Sequence, residues 1–142
     1  MASRVRVVEA AVSDSVGTRR LAISSKHGGH RVRKTGWPVD AVTLDAEIDG
    51  DVGLIWIDVQ GHEGQVFMGA RRLLAHRPPV VVEVSPAQLR LSGTYEAFLE
   101  TAQNYRNYAL PKGKRPLVQP TSMLESAHFG QGKGHVDILL IP

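Results

Sequence analysis

An α/β fold, with a largely parallel sheet covered on both faces, is predicted for this 142-residue chain by three observations. An unbroken apolar run, Leu54 to Ile57, ends in Asp58 and gives way to helical spacing at Val66, Phe67, Ala70, Leu73 and Leu74. A second run, "VVVEVS" from Val80, precedes "TYEAFLETAQNY", where Tyr95, Phe98, Leu99 and Ala102 again recur at helical spacing. A third run, "HVDILLIP", closes the chain. Strands that need burial on both faces, alternating with helices, mark a parallel sheet between two helical layers. The length is that of one domain.

Taken in order, "RVRVVEAAV" predicts a strand from about residue 4 to 9, and "SDSVGTRR" a turn into a short strand at "RLAIS". "SSKHGGHRVRKTGWP" carries paired glycines, a proline and several charges, so a loop over 24–38 is expected. "DAVTLDAEI" reads as a short strand and a helical turn, and "DGDVG" punctuates before the run at Leu54. One helix is expected over 62–75, stopped by "RPP". The β-branched residues of "VVVEVS" favour a strand, and Thr94 is the expected N-cap of the next helix. "YRNYAL" then predicts a strand, 111–134 a Gly/Pro-rich connection, and "HVDILLIP" the final strand.

Composition removes several function classes. With no cysteine there is no disulfide framework, thiolate nucleophile or thiolate metal site. The start has no apolar core of the signal-peptide kind and no run approaches a membrane span, so the expected compartment is the cytoplasm, with no membrane partner. A net charge of +3 comes with basic groups at Arg4/Arg6, Arg19/Arg20, Arg31/Arg33/Lys34 and Lys112/Lys114/Arg115. No stacking aromatic sits among them, so they read as solvated surface and no nucleic-acid partner is expected.

In a parallel sheet, ligands sit beyond the carboxyl ends of the strands, which singles out the acids there. Asp58 ends one strand and Glu83 lies near the end of the next, while Glu63 falls in the first turn of a helix, where the dipole favours negative charge. Burying Glu83 unpaired among valines would cost several kcal/mol, so it must reach the rim or have a partner. Taken singly, Glu63 reads equally well as a dipole-matched acid, Asp58 as a turn former and Glu83 as the partner of an arginine. Clustered at one sheet edge, the three point to a polar site. His62-Glu63 lacks the second histidine one turn on that a metalloprotease needs. His27 and His30 in "HGGH" sit on a flexible glycine loop, which makes a poor preformed metal site, and none is expected.

"AVTLDAEI", "LIWIDVQGHEGQVFMGARRLL" and "RPPVVVEVSP", together with "EAAVSDSVGTRRLAIS" and "HVDILLIP", resemble the FkbM-type methyltransferases, whose pattern runs roughly V-T-L-D, K-I-D-V-E-G-x-E-x-x-V-L-x-G-A and P-x-I-x-x-E. The resemblance implies a Rossmann-like class I sheet that uses S-adenosyl-L-methionine, usually to O-methylate a hydroxyl on a sugar or secondary metabolite. On that pattern Ala11, Ser13 and Asp14 lie near the adenine, and Asp58 near the methionine end and the small-molecule hydroxyl acceptor. Asp58 is then the first candidate to orient or deprotonate the hydroxyl, with Glu63, His62 and His30 as alternatives and with Glu83 and Gln60 toward the acceptor.

Two departures from the pattern carry expectations. Trp56 and Gln60 replace the expected lysine and acid, which alters the acceptor pocket while keeping Asp58. The glycine-rich cofactor loop and the ribose-binding acid have no counterpart, so 1–142 reads as one partial domain, its carboxyl-terminal two thirds, truncated at the N-terminus with the first two strands missing. Those strands would lie between the third and fourth, so their loss separates "RVRVVE" from the main sheet and opens an edge through which chains would self-associate. A working enzyme and a non-catalytic remnant or interaction module both remain open on the sequence.

Overall fold

The computed structural model describes residues 4–25, 29–110, 117–125 and 135–142. Two sheets carry the fold. The first is formed by β1 (Ala11–Val12), β2 (Gly17–Ala22), β3 (Arg31–Arg33) and β4 (Trp37–Val42), in the order β1-β4-β2-β3. The second is formed by β5 (Ile55–Ile57), β6 (Val80–Val84), β7 (Asn107–Leu110), β8 (Leu117–Pro120) and β9 (Val136–Ile141), in the order β5-β6-β9-β7-β8. Five helices, α1 (Leu44–Glu47), α2 (Glu63–Met68), α3 (Arg71–Ala75), α4 (Pro86–Ser92) and α5 (Tyr95–Ala102), and a 3-10 turn (Thr121–Glu125) complete it. The architecture is mixed α/β, and β1 and β5 lie in different sheets with β5 at a sheet edge. Among the described residues no helix is long and apolar enough to cross a membrane.

The sheets are not largely parallel. Among the described residues only β1 with β4 and β5 with β6 run parallel; the other five pairings are antiparallel, because β2 with β3 and β7 with β8 are sequence neighbours that need no crossover helix. Nor, among the described residues, is the second sheet covered on both faces. Ile55, Ile57, Val80, Val82, Val84, Ile138 and Leu140 pack into one core with Val66, Phe67, Leu74, Leu89, Phe98 and Leu99 of the helices. On the opposite face Trp56 is 74% exposed and Val81, Glu83 and Leu139 are half-buried, with Glu83 directly opposite Asp137.

Several local boundaries also differ from expectation. Residues 4–9 form no strand: β4 reaches only Ala11 and Val12, so the valines before them have no neighbouring strand and Val5 and Val7 are exposed. The 24–38 stretch is not all loop, since β3 and the start of β4 pair with β2 there. The connection over 111–134 contains β8 and the 3-10 turn, while 111–116 and 126–134 lie outside the described residues. The 62–75 helix is two helices, interrupted at Gly69 and Ala70.

Helix α3 is capped from a distance. Its N-cap, Ala70, has no side-chain acceptor, and the Asp45 carboxylate of α1 instead accepts the Arg72 and Leu73 amides at 2.9 and 3.1 Å. α1 in turn is capped by Thr43, whose hydroxyl accepts the Ala46 amide at 3.1 Å. The α1 and α3 ends are thereby locked together.

Candidate active site

The carboxyl end of β5 carries Asp58, and the chain then turns through Gln60 (φ 51) and Gly61 (φ 93) before α2 starts. Gly61 serves this turn because the left-handed region carries no Cβ penalty for glycine. The turn folds Gln60 back across the strand ends, where its amide nitrogen donates to Asp58 Oδ1 at 2.7 Å and to Glu83 Oε2 at 2.9 Å. His135 Nδ1 stands 3.6 Å from the same Glu83 oxygen. Glu83 therefore does have a partner, and it is the Gln60 amide rather than an arginine.

Beside this corner a cavity of about 360 Å³ opens between the two sheets. Its wall is apolar, from Ala11, Val12, Leu21 and Val32 of the first sheet. The polar groups that line it are Asp58, Gln60, His62 and His30. A mostly apolar pocket of this size with a few convergent polar groups is the usual form of a small-molecule site. Asp58 is exposed and also lines a second hollow of about 470 Å³ on the uncovered sheet face, with Trp56, Glu83 and Asp137.

The structure brings Asp58, Gln60, His62, His30 and Ala11 to one cavity. Ser13 and Asp14 are beside it and are engaged elsewhere. Ser13, fully buried, has its hydroxyl 2.9 Å from Asp14 Oδ1, 2.9 Å from His62 Nε2 and 3.1 Å from Arg19 Nε. Arg19 Nη2 donates to Asp14 Oδ1 at 2.7 Å. Partial burial pushes the Asp14 carboxyl up, but hydrogen bonds from Arg19 and Ser13 and the Arg19 charge outweigh it, leaving the pKa below the usual value. Burial pushes the His62 pKa down; Asp14 opposes this and Arg19 adds to it. Arg19 is the member of the network that sequence reading misses, for nothing about an arginine in a polar turn separates it from solvated surface. His30 accepts the Ser24 amide at Nδ1 at 3.1 Å, and His27 lies outside the described residues. Among the described residues no group of acids and histidines is placed to hold a metal ion.

Glu63 is fully buried, away from the cavity lining. Its Oε1 accepts the Gly61 amide at 2.7 Å, and Oε2 has no partner among the described residues. Burial raises its pKa most; the Gly61 amide and its own lower it, Glu83 raises it and His135 lowers it, with a net rise. A raised pKa means that folding favours the neutral acid. Its contribution to stability is complete below the ordinary value of 4.5 and is lost as pH rises through the folded value. Replacing Glu63 by Gln is therefore expected to gain on wild type by about 1–3 kcal/mol as the pH rises from about 4 to about 8, the scale of one unsatisfied buried polar group. Unfolding midpoints followed by circular dichroism at both ends of that range check it, and parallel profiles for the two proteins refute it.

A family description fits this corner. The model of the methyltransferase FkbM domain matches residues 4–109. The chain belongs to the FkbM methyltransferase family. No curated protein and no solved structure matches it. The FkbM match takes in the whole first sheet, β5 and β6 of the second and every polar group of the cavity, so methyl transfer is the chemistry that bears on this corner.

Proposed function

We propose that this FkbM domain is an S-adenosyl-L-methionine-dependent O-methyltransferase acting on a hydroxyl of a small molecule, a sugar or secondary metabolite. On this reading the two sheets are the flanks of a Rossmann-like class I sheet, with no strand joining β1 to β5 among the described residues. The observation that carries the proposal is the cavity at the ends of β1 and β5, mostly apolar and lined also by Asp58, Gln60, His62 and His30. The donor set suits the cofactor. Adenine needs an apolar cradle, which Ala11, Val12 and Val32 offer, and a sulfonium with its ammonium needs an anion, which Asp58 offers in the same cavity. When bound, the cofactor supplies an electrophilic methyl group on a positively charged sulfur.

The chain's own residues have the remaining work of alignment and proton removal. Gln60 ties Asp58 to Glu83 and so holds both carboxylates at the rim. Asp58 orients the acceptor hydroxyl, and the two histidines line the same cavity. Ser13 and Asp14, committed to Arg19 and His62, serve the adenine end through the shape of the wall rather than through direct hydrogen bonds. The exposed edge of β5 is the surface through which we propose self-association.

Calorimetric titration of the folded 142-residue chain with S-adenosyl-L-methionine tests the proposal. Saturable binding that weakens about tenfold or more in Asp58→Ala supports it, the loss being that expected for one charged hydrogen bond. A folded chain that shows no binding would instead make it a non-catalytic module of the same family.

A further inference from the structure

We infer that His62 is the proton acceptor of this site, acting through Nδ1, and that Ser13 is the positioning residue that sets its tautomer. The inference rests on the methyltransferase reading and goes beyond it by choosing among the acids and histidines at the cavity.

The choice follows from counting hydrogens on one buried oxygen. A serine hydroxyl has one proton to give and two lone pairs with which to accept. Three groups surround Ser13 Oγ: Asp14 Oδ1 at 2.9 Å, His62 Nε2 at 2.9 Å and Arg19 Nε at 3.1 Å. Arg19 Nε can only donate, and the Asp14 carboxylate can only accept. The hydroxyl proton therefore goes to Asp14 and one lone pair to Arg19, which leaves the second lone pair for a proton on His62 Nε2. The reverse arrangement, with the Ser13 proton on His62, would leave two oxygens 2.9 Å apart with no proton between them. Ser13 is fully buried, so water does not relieve that contact.

A neutral imidazole protonated at Nε2 presents its lone pair at Nδ1. Among the described residues Nδ1 has no hydrogen-bond partner, and the ring lines the cavity. The charged and titratable groups around the ring are Arg19 on β2, Asp14 in the turn before it, Asp58 and His30, which line the same cavity, and the neighbouring Glu63 on α2. Burial, reinforced by Arg19, keeps the ring neutral before reaction, while Asp14 steadies the imidazolium once formed. The other candidates lack this arrangement. Asp58 is exposed with Oδ1 occupied by Gln60, Glu63 does not line the cavity, and exposed His30 spends Nδ1 on the Ser24 amide. In the step itself the acceptor's O–H bond breaks, an N–H bond forms at His62 Nδ1, and the electron pair stays on oxygen.

Long-range proton–nitrogen correlation spectra of the uniformly labelled 142-residue chain report the tautomer and titration of each histidine without any substrate. The expected result is an Nε2-protonated His62 that titrates below the ordinary 6.5. Ser13→Ala should move the tautomer ratio about tenfold toward Nδ1–H, one hydrogen bond's worth, and Ser13→Thr should restore it. An Nδ1-protonated wild type overturns the inference whether or not Ser13→Ala folds, and so does a folded Ser13→Ala with an unchanged ratio. Titration of the same sample with S-adenosyl-L-methionine keeps the two readings apart, since absent binding sinks the methyltransferase reading while the tautomer stands or falls on the spectra.

Discussion

Gly69→Ala is expected to lower the unfolding free energy by about 3 kcal/mol, a fall in midpoint on the order of 10 °C. The backbone at Gly69, φ −87 and ψ 5, is open to alanine, so no conformational penalty explains the glycine. Space does. A Cβ there would collide with the carbonyl oxygen of Ser13 and press on Thr43 Cβ at 3.2 Å. The obstacle is backbone, which cannot rotate aside as a flexible side chain would. Gly69 also accepts the Asp45 amide at 3.0 Å, so the turn between α2 and α3 is packed against Ser13 and tied to α1 as well. Because the displaced residue is Ser13, the same substitution should disturb the Ser13 to His62 contact. Gly53→Ala is the control, since a Cβ at Gly53 meets nothing within 4 Å. Thermal unfolding of the two variants decides the matter: equal midpoints would mean that the sheet and the α2–α3 turn are not in contact in solution.

The same glycine shows why the sequence is readable only in part. Val66, Phe67, Ala70, Leu73 and Leu74 keep helical spacing across Gly69, and periodicity carries no notice of a carbonyl arriving from residue 13. Where local signals and burial agree, as at β5, β6, β9 and α5, the elements are legible. Helix α4 had its signals, Ser85 before it, Pro86 as its first residue and Gly93 (φ 72) after it, in a stretch to which periodicity alone assigns no element. The stretch 4–9 failed for the opposite reason: alternation describes a strand's sides, but a strand needs a neighbour to hydrogen-bond, and β4 supplies one only at Ala11 and Val12. At the site, Asp58, Gln60 and His62 were legible because they follow one strand within five residues of Ile57. The role of Ser13 was not, because it depends on Arg19 and His62 arriving from separate elements.

Phe98→Ala and Trp56→Ala should differ by about 3–5 kcal/mol in their cost to stability, although both remove an aromatic ring packed at or near the same sheet. Phe98 is fully buried on α5, its ring centroid 5.1 Å from that of Phe67 on α2, within the single core that joins the helices to β5, β6 and β9. Its loss removes apolar burial and leaves a cavity between two helices that cannot both follow it inward. Trp56 points to the other face and is 74% exposed, so in the dissociated chain, at high dilution, its truncation should change stability by no more than about 0.5 kcal/mol. The contrast measures how one-sided the second sheet is. Reading "VVVEV" as apolar on both faces predicted two helical layers, whereas burial alternates along β6 and the second face holds the half-buried Val81 and Leu139 beside Glu83 and exposed Asp137. Such a face, next to the open edge of β5, is where a second chain would pack. If chains do associate there, Trp56→Ala will cost far more than a surface substitution, and the wild-type midpoint will rise with protein concentration while the variant's does not. A concentration-independent midpoint with a near-silent Trp56→Ala would instead leave the face solvated and the self-association proposal without support.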